Sequence, residues 1–98
     1  MVGTRDGDVA VYRGDDGIRR SLRRALTARG VDDIGSEDLG ASSDHAPFAR
    51  AGIPVGGIFT GLDRCYHRAC DDAGNVDPDR AADAAGATAA SLLDLTSP

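Results

Sequence analysis

An eight-residue apolar run, Ile53 to Thr60, lies between segments whose apolar residues repeat with helical period. A run of that length and composition reads as a buried strand. Gly56-Gly57 interrupt it and permit close approach of another backbone or a ligand. A first strand reads over Asp8 to Arg13, with Val9 and Val11 on one face and Ala10 and Tyr12 on the other. Val31 to Ile34 reads as a second short strand, and Gly35 to Ser42 as a polar, acidic loop.

Three helices alternate with these strands. Over Gly17 to Arg29, Ile18, Leu22, Ala25 and Leu26 form one apolar stripe. Asp15 and Asp16 stand at its positive end, and Gly30 follows it as a stop. The spacing predicts a brief helix over His45 to Ala51, capped by Ser43-Asp44 and halted at Gly52. Asp77-Pro78 opens the last helix, which runs to about Leu95 with Ala81, Ala85, Leu92 and Leu93 among its apolar positions. Its many small residues predict close packing on a sheet. Strand and helix in alternation indicate an α/β layer fold.

Length and charge bound what such a fold can do. With 98 residues the chain is one small domain, and a domain of this size buries roughly 60–65% of its unfolded surface. Only Tyr12, Phe48, Phe59 and Tyr66 are aromatic, so core bulk falls to a few Ile, Leu and Val side chains. The formal charge of −5 argues against nucleic acid as a partner, although Arg19, Arg20, Arg23 and Arg24 line one helix. Those arginines read as a solvated face. No apolar run approaches the ~20 residues of a membrane span, and Met1 to Asp6 lacks the apolar centre of a signal peptide.

The densest chemistry is Cys65-Tyr66-His67-Arg68-Ala69-Cys70. A disulfide would fix the presentation of Tyr66 and His67, and imply an oxidising compartment. Alternatively Cys65, Cys70, His67 and His45, the only Cys and His present, form a structural zinc site. In a third reading two free thiols simply pack. Upstream, Ser43-Asp44-His45 cannot be a hydrolase triad, because a triad needs side chains converging from separate segments. A helix cap with a buried Asp44–His45 hydrogen bond fits better, and an Asp that orients a His can also support a metal ligand.

Taken together, Ser43-Asp44-His45-Ala46-Pro47-Phe48, Ala51 to Gly61, Cys65-Tyr66-His67, Cys70-Asp71 and Asn75-Val76 resemble metallopeptidase family 28. The likeness is to its secreted bacterial leucine-type branch of dizinc aminopeptidases. The resemblance implies a partial mixed sheet flanked by helices, the C-terminal portion of a zinc-exopeptidase (phosphorylase/hydrolase-like) domain. It implies removal of large apolar N-terminal residues from peptide substrates in an extracellular setting. It also implies two zinc ions, with room for calcium. By the same resemblance His67 is a zinc ligand, Tyr66 polarises the substrate carbonyl, Met1 and Phe59 line the specificity pocket, and Cys65 and Cys70 are bonded.

The pattern also departs from the family. Of the two His, two Asp and two Glu that the chemistry uses, only His67 falls on a matching position, so a missing N-terminal portion is the expected partner. Ser42 stands where relatives often carry Arg, and Leu62-Asp63-Arg64 replaces a longer insertion, which predicts displacement of Tyr66 and His67. Two further functions remain open: a non-catalytic module that retains a peptide-pocket wall, and a small Cys₂His₂ zinc domain.

Overall fold

Strand β1, Ala10–Tyr12, is the middle strand of a three-stranded sheet and is buried along its whole length. Residues 3–98 are described by the computed structural model. On one side β1 pairs in parallel with β2, Gly35–Glu37; on the other it pairs antiparallel with β3, Ile58–Phe59. Helix α1, Asp16–Ala28, connects β1 to β2, as a parallel pair requires. Helix α2, His45–Arg50, precedes β3, and α3, Pro78–Thr96, closes the chain. The result is a small α/β fold, as expected from the alternation, and its three-stranded sheet is mixed, as the family resemblance implies.

Local chemistry accounts for the helices. The Asp15 carboxylate accepts from the Ile18 N–H at 2.9 Å and caps α1, while Asp77 caps α3 with Pro78 in the first turn. The apolar stripe of α1 delivers Leu22 and Leu26 to a core shared with Val11 and Ala87. The expected strand at Val31 to Ile34 does not form. The Val31 N–H returns to the Leu26 carbonyl at 3.1 Å to close the helix, and the Arg23 guanidinium takes the carbonyls of Ile34 and Gly35. Val31 and Ile34 instead pack on the core as side chains, and the ladder begins at Gly35. The sheet strand thus lies inside the stretch read as a loop.

Two further expectations are corrected. Of Ile53 to Thr60 only Ile58–Phe59 is strand, and Ile53 is half exposed. Pro54 has no N–H for a ladder. The segment still runs beside β1, since Val55 and Gly57 carbonyls accept from Asp15 and Tyr12 N–H groups. A Cβ at Gly56 would strike Ile18, which is the close approach that glycine permits. In α3 the buried residues are Ala84, Ala87 and Ser91, whereas Leu92 and Leu93 face outward. Those small residues bring α3 against α1, not flat on the sheet: Ser91 donates to Ser21, and Ser21 to Asp94. Gly86 leaves room for Arg29 to lie across α3 and reach Asp83.

The Asp94 carboxyl is held below the ordinary aspartate value, first by the Ser21 hydroxyl and then by Arg24. A depressed folded value contributes stability that is present above the unfolded value and lost as pH falls through the folded one. Asp94→Asn is therefore expected to unfold more easily than the parent at neutral pH, with the gap closing below about pH 4. Urea midpoints measured across pH check this, and a gap that persists at pH 2 would contradict it.

Candidate active-site cleft

Four segments meet at a cleft of about 400 Å³. The end of β2 and the turn after it bring Glu37, Asp38 and Leu39. The approach to α2 brings Ser42 and Ser43, β3 brings Phe59, and the following loop brings Leu62, Tyr66 and His67. Sequence reasoning anticipated Phe59, Tyr66 and His67, and these three come together. It missed Glu37, Asp38, Leu39 and Leu62 as lining residues, because nothing local marks a polar loop or a single Leu as part of a cleft. Met1, expected beside Phe59, lies outside the described residues. A second cavity of about 300 Å³, between the α1–α3 layer and the sheet, contains none of the anticipated site residues.

The loop that carries Tyr66 and His67 is closed by a Cys65–Cys70 disulfide. The bond consumes both sulfurs, so neither the Cys₂His₂ zinc site nor the pair of free thiols exists. Inside the loop the Tyr66 and His67 rings stack, with centroids 3.9 Å apart and planes inclined by 18°. His67 has a φ of 55°, left-handed backbone that only a few per cent of non-glycine residues adopt. Such strain persists only where the surroundings hold it, and here the bridged loop does so. The chain-entropy model gives a loop this short about 2 kcal/mol. Cys65→Ser with Cys70→Ser is accordingly expected to lower unfolding free energy by about 2 kcal/mol. A urea titration that showed no loss would put the bond outside the folded core of the loop.

The motif around His45 works differently from expectation. Asp44 makes no side-chain cap bond, and no Asp44–His45 bond forms. The half-buried His45 ring instead bonds the Gly40 carbonyl at 2.8 Å and packs 4.4 Å from the Tyr12 ring. Neither Asp44 nor His45 lines the cleft. The His45 contacts fasten the turn after β2 to Tyr12 of β1, beside one wall of the cleft.

A catalytic zinc usually takes three protein ligands. Among the described residues no three His, Cys, Asp or Glu side chains gather as a metal-binding group. His67 is the only imidazole on the cleft.

Comparison with known proteins gives the context. The sequence model of peptidase family M28 matches residues 1–92. Leupeptin-inactivating enzyme 1 of Streptomyces exfoliatus is 33% identical over 96 residues, covering 78% of this chain and 22% of that protein. Aminopeptidase Y of Saccharomyces cerevisiae is 47% identical over 45 residues, covering 35% of this chain and 8% of that protein. The chain thus spans about a fifth or less of the length of these curated relatives.

Proposed function

From the premise that this chain belongs to peptidase family M28, we propose that it forms one wall of a zinc aminopeptidase site. The substrates are peptides with a free N-terminus and a large apolar first residue. Convergence of Phe59, Tyr66 and His67 on one cleft is the observation that carries this reading.

Each group has a physical task in it. Phe59, with Leu39 and Leu62, offers apolar surface to the first side chain. Glu37 and Asp38 face the same space, and no Arg or Lys lines it among the described residues, so its charge favours the ammonium of a free N-terminus. The Tyr66 phenol donates to the scissile carbonyl as charge develops on its oxygen. His67 is one zinc ligand, and the remaining ligands and the general base come from groups outside this sequence. Family M28 chemistry generally depends on zinc, which supplies an activated water. The disulfide favours an extracellular setting, and no helix among the described residues is long and apolar enough to cross a membrane.

One observation favours a second reading. The absence of a three-ligand group among the described residues fits a module that binds peptide N-termini without cutting them. Two measurements separate the readings. The first is zinc stoichiometry by calorimetry. The second is release of nitroaniline from leucine nitroanilide, with zinc and an N-terminal catalytic segment of a relative added. Turnover only in the combined sample supports the peptidase. Soluble, associated segments that bind peptide yet give no turnover would establish the binding module instead.

A further inference from the structure

A disulfide makes the loop of residues 65–70 stiff but does not decide where the loop points. Its two necks, residues 61–64 and 71–75, must be held if Tyr66 and His67 are to face the cleft. The Asn75 side chain, at the end of the second neck, reaches across to the first and back along its own. The Asn75 amide nitrogen donates to Asp63 Oδ2 at 2.8 Å and to Asp71 Oδ1 at 3.0 Å. The other Asp63 oxygen, Oδ1, accepts the Cys65 backbone N–H at 3.0 Å, where the loop begins.

Asn75 is in turn tied to the sheet. Its carbonyl accepts from the Arg5 N–H at 3.1 Å. The Arg5 guanidinium grips the carbonyls on either side, Gly74 at 3.3 Å and Val76 at 2.7 Å. Thr4 pairs with Val76, and the Thr4 N–H donates to the hydroxyl of Thr60, the residue after β3. A continuous path of bonds therefore joins the end of β3, through residues 4–5 and the turn at 73–76, to both necks of the disulfide loop.

We infer that Asn75 is a positioning residue for Tyr66 and His67: its amide, bridging the Asp63 and Asp71 carboxylates, sets the orientation of the disulfide loop over the cleft. A neutral amide suits the task. It supplies two N–H donors to two like charges that would otherwise push the necks apart. Donation to ionised acceptors makes these bonds stronger than neutral ones. The departure at Leu62-Asp63-Arg64 gains a purpose, because the short connection places Asp63 where it can reach Asn75. This inference rests on the reading of Tyr66 and His67 as site residues, but its test does not need peptide hydrolysis.

The test uses the full chain with its disulfide formed. Asn75→Asp keeps the shape and removes both donors. The triple change Asp63→Asn, Asp71→Asn, Asn75→Asp exchanges donor and acceptor throughout and restores both links. The readouts are the His67 ring resonances, displaced by the stacked Tyr66 ring, and the rate at which dithiothreitol reduces the disulfide. Asn75→Asp is expected to move the His67 resonances toward those of an unstacked histidine. It should also speed reduction by about tenfold or more, of the order of one lost charge-assisted bond. The triple change should return both toward the parent. Should Asn75→Asp not fold, Asp71→Ala removes one exposed link and should shift both readouts in the same direction. Lower melting temperature with an unmoved His67 resonance and unchanged reduction would make Asn75 merely structural and overturn the inference. Failure of the anilide assay with these shifts intact would count against the peptidase reading, not against the clamp.

Discussion

Tyr66→Phe is expected to lower kcat for leucine nitroanilide about 10²- to 10³-fold, with little change in KM. The measurement belongs to the zinc-loaded preparation in which this chain is combined with an N-terminal catalytic segment of a relative. The substitution removes one hydroxyl and leaves the ring. The stack on His67, 3.9 Å between centroids, and the disulfide around it can therefore persist. A donor aimed at charge that develops only in the transition state contributes to kcat and not to ground-state binding. A drop of less than about threefold would remove Tyr66 from the chemistry and leave it as a wall of the cleft.

Leu26→Ala is expected to cost about 3 kcal/mol, read as a shift of the urea midpoint at constant slope. Leu26 is 1% exposed and belongs to the core formed by Val11, Leu22 and Ala87. Little else can close the gap. Ala84, Ala87 and Ser91 are the inward residues of α3, all small, and the neighbouring Val31 and Ile34 are already packed on the cluster. Small domains have about 5–15 kcal/mol in all, so this one change removes a large share. A loss below about 1 kcal/mol would mean that α1 is not seated on the sheet as described.

Both predictions rest on features that differ in how they could be read in advance. The seat of Leu26 was legible from the stripe Ile18, Leu22, Ala25, Leu26, because helical period is a local property of the chain. The caps at Asp15 and Asp77 were legible for the same reason: the bonds they make span two or three residues. Phe59, Tyr66 and His67 were legible through motifs in a fixed order. The cysteines alone left three chemistries open, and only the folded loop chose the disulfide. The outward turn of Leu92 and Leu93 could not be foreseen, since residue type says apolar while the packing partner, α1, selects the small residues beside them.

Residue order by itself therefore determined the helices, their ends and the identity of the aromatic and imidazole groups. The helices follow from interactions within a few residues, and the aromatic and imidazole groups from the family resemblance of their motifs. Tertiary structure alone decided that Gly35–Glu37 is the parallel partner of β1, that Glu37 and Asp38 face Tyr66 and His67, and that Asn75 spans two carboxylates. Those features depend on pairings between segments distant in sequence. A polar residue recruited by such a pairing looks, in the linear chain, like any residue of a solvated loop.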